Sequence, residues 1–571
     1  MIPGFTLLRR TSSIAANPTT QGVSLRGIGS SGTSRTLVLW DAIPLNDPFG
    51  GWVYWTRVPP EGIERSELSR GATTSVFGDR AMGGTIHLLT PTPSQEHVMV
   101  QFEGGNKTTL MPYGSYSNLF RGRWGVTAGM RALTTDGYYI VPDSIRGSID
   151  TPAGVKFLAP NMKIDWLGSK DRFSFKTDVL AEERANGTAA VGNSTSIGSL
   201  SGNYTRSGSQ GGLSLLSFYQ TQEYRATFSA IAADRNSERV TSRQSVPAEA
   251  VGGAGYGTWR GQGINVVGGG DFLRVSGTSR DWLVPTGERI AGGEIFQRGV
   301  FGQADFTWKD FKLFLGSRYQ WTGLQDGSHF YSPSGGFTWG RHWLRLRGSA
   351  YRSFRAPTLN ELYREFRAGN TVTQANASLR PEVLAGAEVG ADIVLERMRL
   401  SVTTFRNDLT DLISNVTLSS TPSLVTRQRQ NVAAALSRGA EVDFRYRWSR
   451  WFFDASYLFA DSRFSTRERI PQVARHQGTA QLSWSRNGTM ITGGMRATDL
   501  QFEDDRNTQL LPGFVVFHIV GQQALSHGLS LYATMENASN REFLSGWTPA
   551  AQIGAPRLWR VGVRWQGRFR P

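Results

Sequence analysis

The sequence predicts a mainly β fold in which most of the chain forms a transmembrane antiparallel β-barrel. Three observations favour this class. Apolar and polar residues alternate with a period of two in segments that recur from about residue 95 to the C-terminus. The last of these segments has a Trp at each end of an apolar face. With 66 Gly, 11% aromatic residues and a mean hydropathy of −0.32, the composition suits strands that meet lipid on one side only.

The composition also excludes other classes. The sequence has no run of about 18 uncharged apolar residues, so it predicts no transmembrane helix. Because the chain has 0 Cys, it has neither a disulfide framework nor a thiolate metal site. The net charge of +16 is an arginine effect, since only 7 of the 62 basic residues are Lys. These Arg are spread from Arg9 to Arg570 without a basic tail, which argues against nucleic acid as a partner and favours an Arg-lined lumen or contact with anionic outer-membrane lipid.

Residues 1–93 differ from the rest of the chain. They are rich in turn residues and contain two apolar runs, at 23–25 and 36–40. The alternation begins after them. In residues 123–131, for example, Trp124, Val126, Ala128 and Met130 share one parity and polar or small residues take the other. Successive side chains of a strand point to opposite faces, so each such segment predicts one apolar and one polar face. The same pattern occurs at 300–308, 311–315, 344–350, 398–402 and 529–535.

A soluble β-sandwich or propeller would show the same alternation. The segments follow no fixed repeat, however, which argues against a propeller. The last segment places Trp559, Val561, Val563 and Trp565 on one face and Arg560, Gly562 and Arg564 on the other. At the rise of a strand the two Trp lie roughly 20 Å apart, close to the height of a lipid-facing band between aromatic girdles. This segment therefore favours the membrane barrel.

A resemblance to a known family rests first on residues 59–90. They resemble the end of the plug domain of TonB-dependent outer-membrane receptors, whose pattern is I-E-R-I-E-V-x-R-G…S-x-x-Y-G…A-x-G-G-x-I-N-I-x-T. The matching positions are Ile63, Glu64, Arg65, Glu67, Arg70, Gly71, Ser75, Gly78, Ala81, Gly83, Gly84, Ile86 and Thr90. The sequence departs from the pattern at Ser66, Phe77 and His87, where an aliphatic residue, Tyr and Asn are usual.

Further segments resemble the same family in the same order along the chain. Residues 21–27 resemble its S-L-R-G strand, and residues 34–46 resemble R-x-L-V-L-(I/V)-D-G-(I/V)-P-(L/V)-N, with Ala42 in place of Gly. Residues 351–363 resemble the F-R-A-P segment of the barrel, and residues 379–390 resemble its L-(K/R)-P-E…E-x-G element. The resemblance thus extends over nearly the whole chain.

The resemblance implies two domains. Residues 1–93 would form a partial α/β plug domain inside the lumen, and residues 94–571 the transmembrane β-barrel. Plugged outer-membrane transporters have 22 strands, so we expect about 22 here. The polar segments 181–212, 232–270, 365–382 and 415–431 are predicted as outer loops. The first five residues lack a signal peptide, and we therefore expect that the signal, the TonB-contacting box and the first part of the plug are missing from this chain.

The function implied is that of a TonB-dependent receptor, a multi-pass protein of the bacterial outer membrane that takes up a scarce solute with energy from the TonB–ExbB–ExbD complex. An extracellular small molecule would be the ligand. A ferric siderophore is preferred, since many are anionic, and cobalamin or an oligosaccharide stays open. Two alternatives come from other classes: a passive porin-like channel, and a soluble β-rich glycan-processing enzyme. The sequence has no recognisable pair of catalytic carboxylates, so we predict that the protein is not an enzyme.

Two plug loops are predicted to contact the ligand, because the resemblance places them at the outer side. The first contributes Asn17, Thr19 and Gln21, and the second contributes Asn46, Asp47, Phe49, Trp52, Tyr54 and Trp55. Aromatic side chains with a few polar groups are typical of ligand pockets. The alternative is that these aromatic residues pack the plug against the barrel. Arg65, Glu67 and Arg70 are predicted to form ion pairs between plug and barrel. No metal site and no cofactor are predicted.

Overall fold

The computed structural model describes residues 5–7, 10–29, 32–324, 329–421, 423–548 and 550–568. Residues 1–4, on which the expectation of a missing N-terminal part depends, lie outside this described part.

The N-terminal residues form a small unit built on a four-stranded sheet. The central strands β3 and β6 pair in parallel, β4 pairs with β3, and β5 pairs with β6. The strands are β1 (Thr6–Leu7), β2 (Val23–Ser24), β3 (Leu37–Trp40), β4 (Ile43–Pro44), β5 (Arg65–Arg70) and β6 (Gly84–Leu89). The helices are α1 (Thr74–Phe77) and the 3-10 turns Pro18–Thr20, Trp55–Arg57, Pro60–Gly62 and Asp79–Ala81. We call this unit the plug.

The remaining strands form one closed barrel, in which the first strand pairs with the last. Its first half consists of β7 (His97–Gly105), β8 (Thr109–Phe120), β9 (Trp124–Tyr138), β10 (Ala153–Leu167), β11 (Asp171–Thr188), β12 (Val191–Ser207), β13 (Gly211–Ile231), β14 (Glu238–Gly261), β15 (Ile264–Leu283), β16 (Glu288–Trp308), β17 (Phe311–Trp321) and β18 (His329–Arg341). A 3-10 turn, Asp143–Ile145, lies between β9 and β10.

The second half begins with β19 (Leu344–Arg355), which is followed by α2 (Leu359–Tyr363), β20 (Phe366–Ala368) and β21 (Thr371–Gln374). It continues with β22 (Glu382–Val394), β23 (Met398–Ser420), β24 (Val425–Trp448), β25 (Trp451–Phe464), β26 (His476–Arg486), β27 (Thr489–Thr498), β28 (Gln501–Phe502), β29 (Leu510–Leu511), β30 (Phe514–Ala524), β31 (Leu529–Glu536), β32 (Leu544–Gly546), β33 (Gln552–Ile553) and β34 (Leu558–Gly567).

The wall of the barrel has 22 strands, because β19 pairs directly with β22 and the short β20, β21, β28, β29, β32 and β33 belong to connections. The predicted fold class and strand number are therefore confirmed. We call the end of the barrel that carries α2 the outer end. Within the described residues, no helix is both long enough and apolar enough to cross a membrane.

The last strand has the two faces that its sequence predicts. Trp559, Val561 and Val563 are exposed on the outside of the barrel. On the inside, Arg560 donates to Glu103 Oε2 at 3.1 Å and Arg564 donates to Gln101 Oε1 at 2.7 Å. An apolar band therefore faces outward while charged groups pair in the lumen, as in barrels of the outer-membrane type.

The prediction of long outer loops at 181–212, 232–270 and 415–431 was wrong. These residues belong to strands that are joined by short turns, and β14 alone has 24 residues. About 9–11 residues suffice to cross a membrane, so the strands project beyond the apolar band. Above that band both faces of a strand can be polar, and the apolar alternation that marks a spanning strand is lost.

The plug lies inside the barrel and packs against its wall. Its own core includes Val23, Val38, Trp40, Leu45, Val53, Val58 and Ile86. Phe49 packs with wall residues such as Tyr224 and Val246, while Ile28 and Met82 pack with Tyr351 and Leu384 on other strands of the wall. The lumen is thus filled by a folded unit with apolar contacts to different parts of the wall.

Candidate ligand-binding site

Buried ion pairs join the plug to the wall. Arg26 pairs with Glu388 and, at 3.1 Å, with Glu441. Arg35 pairs with Glu382 at 2.6 Å, and Arg57 pairs with Asp178. The guanidinium group presents several donors in a rigid fork that matches a carboxylate. These ion pairs therefore hold the plug at a defined position in the lumen.

Of the three residues that were predicted to form ion pairs with the barrel, one does so. Arg70 contacts the barrel, with Nη1 at 2.8 Å from Asp443 and at 3.4 Å from Glu441. Arg65 and Glu67 instead pair with each other at 2.8 Å, and their side chains are 66% and 52% exposed. Both residues occupy β5, the edge strand of the plug sheet, where side chains of the same parity are neighbours. The prediction of contacts between these two residues and the barrel was therefore wrong.

A charged network links the plug to the loop after β19. The fully buried Glu382 accepts from Arg35 and from Arg355 Nε at 2.5 Å, and Arg355 also pairs with Glu361 at 2.9 Å. Glu361 belongs to α2 and forms a capping box with Thr358, which fixes the start of this short helix. The helix then meets the plug directly, because Asn360 N donates to Phe49 O at 2.9 Å. The network therefore holds the outer loop against the plug.

A cavity of about 250 Å³ lies above the plug at the outer end of the barrel. The plug forms its floor, and the wall strands and the loop after β19 form its sides. We call it the outer cavity. It has a strongly basic lining, which contains Glu503 as the single acidic residue among the described lining residues and the cations Arg235, Arg364, Arg367, Arg427 and Arg429.

Aromatic rings hold part of this basic lining in place. Phe366 lies between Arg364 and Arg429, whose guanidinium carbons are 5.2 and 5.3 Å from its ring centre. Arg364 also lies 5.3 Å from the ring of Tyr224, which in turn meets Trp52 edge to face at 6.4 Å. Such cation–π contacts orient a guanidinium group without neutralising its charge.

The hydrogen bonds of these cations go to neutral groups. Arg364 donates to Gln244 Oε1 at 2.7 Å, Arg427 to Gln509 Oε1 at 3.2 Å, and Arg429 to the carbonyl oxygens of Asn360 and Arg364 at 2.8 Å each. Arg367 donates to the carbonyl of Gly369 at 2.7 Å. By contrast, Arg235 forms an ion pair with Asp150. Among the described residues, four of the five Arg therefore form no ion pair and keep a positive charge that a bound anion could neutralise.

The predicted ligand contacts divide into two groups. Asn17, Thr19 and Trp52 line the outer cavity. Asn17 Oδ1 accepts from Thr19 N and Oγ1 at 3.0 Å each, which shapes the first plug loop. Gln21 is buried beside this loop and Tyr54 accepts a hydrogen bond from Thr195 at 3.4 Å. Trp55 meets Phe5 edge to face at 6.1 Å.

The second predicted loop has a largely structural environment. Asn46 Oδ1 accepts from Val38 N at 2.8 Å, and its amide donates to Thr36 O and Gly51 O. Phe49 is fully buried against the wall. These contacts brace the loop that presents Trp52, which agrees with the packing alternative for the aromatic residues that flank it.

Asp47 lies beneath the same loop and is fully buried. Its Oδ1 accepts from Gly50 N at 2.6 Å, and its Oδ2 has no hydrogen-bond partner among the described residues. Burial raises the pKa of this carboxyl to about 7, although backbone N–H groups and the charges of Arg80 and Arg364 act in the other direction.

Reasoning from the sequence did not identify the cations of the outer cavity. Arg367, Arg427 and Arg429 lie in segments that were predicted as outer loops, and Arg364 directly precedes one of them. The enrichment of Arg in these polar segments was a usable signal. That β24, which carries Arg427 and Arg429, lies beside the connection after β19 above the plug was not predictable from local pattern.

Comparisons with known proteins agree with this architecture. Residues 137–538 match the family model "TonB dependent receptor-like, beta-barrel", and residues 1–85 match "TonB-dependent Receptor Plug Domain". The chain is 20% identical over 555 residues to the vitamin B12 transporter BtuB of Photobacterium profundum, which covers 90% of this chain and 82% of that protein.

Among solved structures, the fold is similar to that of the siderophore receptor PirA from Acinetobacter baumannii, with a TM-score of 0.81 and 15% identity over 99% of this chain and 95% of that one. It is also similar to the copper transporter OprC, with a TM-score of 0.82 and 15% identity over 99% of this chain and 97% of the other. At these identities the two structures establish the fold alone.

Proposed function

The chain belongs to the TonB-dependent receptor family, and from that premise we propose that it takes up an anionic solute, with a ferric siderophore as the preferred ligand. The family consists of transporters and receptors with an outer-membrane barrel, and we propose that this protein is likewise a transporter and not an enzyme. We propose further that the TonB–ExbB–ExbD complex supplies the energy, that lipid surrounds the barrel, and that residues 1–93 and 94–571 act as plug and barrel.

The observation that carries the choice of ligand is the charge of the outer cavity. Four of its Arg donate to neutral groups, and the aromatic contacts at Phe366 and Tyr224 hold Arg364 and Arg429 in place without cancelling their charge. Buried charges are costly unless they are paired. An anionic ligand would supply the missing pairing, and its release would restore the cost.

The other ligands fit this cavity less well. A neutral oligosaccharide would leave the Arg charges unpaired. The volume of about 250 Å³ lies below the range of about 300–1,000 Å³ that is usual for pockets of drug-sized ligands, so cobalamin and a whole ferric siderophore would both require the outer loops to move apart. The preference for a siderophore therefore rests on charge and not on volume. Asn17, Thr19 and Trp52 are the plug residues proposed to touch the siderophore.

A binding experiment tests the ligand class. The purified receptor in detergent would be titrated calorimetrically with ferric siderophores of different charge and with cyanocobalamin. Because a hydrogen bond to a charged group contributes about 1.5–3 kcal/mol, Arg364→Ala or Arg429→Ala should weaken binding of the anionic ligand roughly 10- to 150-fold. Arg274→Ala is the matched control, since Arg274 is 51% exposed and pairs with Glu294 on the barrel surface. Equal effects of all three substitutions, or preferential binding of cyanocobalamin, would contradict the proposal.

Uptake in cells separates the receptor from the porin-like alternative. Accumulation of the radiolabelled ferric ligand above its external concentration should stop when the proton gradient is collapsed. Entry that continues without the gradient would favour a passive channel.

A further inference from the structure

The outside of the wall has a groove at the inner end of the barrel, which is the end opposite α2. The groove extends across β9, β10, β11, β12 and β13 and has a volume of about 630 Å³, within the range of about 300–1,000 Å³ that is usual for ligand pockets. We call it the inner-end groove. Its largest lining side chains are Trp124, Trp166, Phe173, Phe175, Tyr204 and Leu215.

The groove opens toward lipid and not toward the lumen. Phe173 and Phe175 of β11 are 51% and 49% exposed. Successive side chains of a strand point to opposite faces, and Arg172, which has the other parity, donates to the fully buried Asp165 at 2.9 Å. The aromatic residues of the groove therefore belong to the face of the barrel that meets the membrane.

The shape of the groove comes from large residues beside small ones. The ring centre of Phe173 lies 5.6 Å from that of Trp166 and 4.7 Å from that of Tyr204, so the three rings form a continuous row. Next to this row, Gly202 of β12 and Ser217 of β13 are cross-strand neighbours. Their small side chains leave a depression beside the rings, which suits a flexible apolar chain.

Basic residues surround the mouth of the groove at the inner end. Arg123 directly precedes Trp124, and Lys170 lies in the turn between β10 and β11. Arg206 follows Tyr204 by two residues and so lies on the same face of β12. All three cations are exposed. Trp and Tyr side chains are enriched where a membrane meets water, so this mouth lies at the level of the lipid headgroups.

The turns that carry these cations are neighbours, and the cations are largely unpaired. The carbonyl of Arg123 accepts from the last residue of β10 at 2.8 Å, and that of Lys170 accepts from the last residue of β12 at 2.7 Å. Among the described residues, Arg123 and Lys170 form no ion pair, and Arg206 has the single acidic neighbour Asp171 at 3.9 Å. Asp171 also accepts from Tyr204 at 2.7 Å. The mouth therefore keeps a net positive charge.

We propose that the inner-end groove binds an anionic glycerophospholipid of the adjacent leaflet, with an acyl chain in the groove and the phosphate at the mouth. Charge complementarity selects this occupant, because guanidinium and ammonium groups bind phosphate and basic pockets at the membrane surface retain anionic headgroups. A zwitterionic lipid has the same phosphate but brings its own cation close to Arg123, Lys170 and Arg206. The site depends on the membrane position of the barrel and not on the identity of the transported solute.

Native mass spectrometry tests the site by counting bound lipids. The whole receptor would be purified in detergent, stripped of lipid, and titrated with phosphatidylglycerol or with phosphatidylethanolamine. The wild type should bind phosphatidylglycerol roughly tenfold or more tightly than phosphatidylethanolamine, because each cation near the surface contributes to the attraction. The triple variant Arg123→Gln, Lys170→Gln, Arg206→Gln should lose this preference. Equal binding of the two lipids by the wild type would overturn the proposal.

A control variant separates a defined site from general attraction to a basic barrel end. The combined changes Lys309→Gln, Arg341→Gln and Arg486→Gln remove the same charge from exposed residues at the inner ends of β16, β18 and β26, outside the groove. They should leave the preference unchanged, and an equal loss would contradict a site at the groove. Ser217→Leu fills the depression and keeps all cations, so it should weaken phosphatidylglycerol binding. Unchanged binding in Ser217→Leu would show that no acyl chain occupies the groove.

Discussion

Removing the carboxylate of Glu382 should release the plug from the wall at one defined place. Glu382 is fully buried and accepts from Arg35, from Arg355 and from Ile413 N, the last at 2.7 Å. Breaking a buried ion pair by removing one partner costs about 3–5 kcal/mol, because the other charge stays buried. Here Arg35 keeps the carbonyl of Ile413 at 2.8 Å and Arg355 keeps Glu361. We therefore expect Glu382→Ala to cost about 3 kcal/mol, at the lower end of that range.

The cost should appear as local opening of the plug rather than as unfolding of the barrel. About 3 kcal/mol corresponds to a roughly hundredfold larger population of the state in which the segment around Arg35 has left the wall. Hydrogen exchange measured by mass spectrometry on the purified protein should show this increase in the peptides that contain residues 32–40, while peptides from the membrane-spanning strands keep their protection.

A surface ion pair provides the control. Glu223 and Arg225 pair at 2.7 Å but are 40% and 66% exposed, and exposed pairs contribute about 0–1 kcal/mol. Glu223→Ala should therefore leave the exchange of the plug unchanged. If Glu382→Ala leaves the protection of residues 32–40 at the wild-type level, the reasoning that buried ion pairs hold the plug in the barrel is refuted.

Three further results are expected. The burial that raises the pKa of Asp47 to about 7 means that the folded plug binds the proton more tightly than the unfolded chain, so its stability should fall as pH rises from about 4 to 7, by up to roughly 4 kcal/mol. Amide hydrogen exchange of residues 46–55, corrected for the pH dependence of the intrinsic rates, should show this loss of stability in the wild type and not in Asp47→Asn. The same pH dependence in both proteins would refute the assignment of the effect to Asp47. Val561→Arg should destabilise the barrel in lipid vesicles by about 2–4 kcal/mol if the residue lies at the midplane, whereas Val561→Leu should not, as measured by urea unfolding; equal midpoints would show that this face does not meet lipid. Deletion of residues 1–93 should produce an open pore, and unchanged conductance in planar bilayers would mean that the plug boundary is misplaced.

The sequence by itself determined the class of the protein. Alternation with a period of two is a local property, because neighbouring side chains of a strand point to opposite faces whatever the strand pairs with. Trp559 and Val561 could therefore be assigned to the lipid side, and Arg560 to the lumen, from the local pattern alone. The plug motif at residues 59–90 is also a local property, because its residues are those that the turns and strands of one small unit require.

The tertiary structure alone decided which charges meet. Arg35 and Glu382 are separated by 347 residues, and nothing in the sequence around either residue specifies the other. For Arg65 and Glu67 we predicted partners on the barrel. These two residues instead lie on an edge strand of the plug sheet and pair with each other. Local pattern fixes which face of a strand a side chain occupies, whereas its partner depends on where distant segments pack. The basic outer cavity arises from such distant packing, because Arg364 and Arg367 come from the connection after β19, whereas Arg427 and Arg429 come from β24.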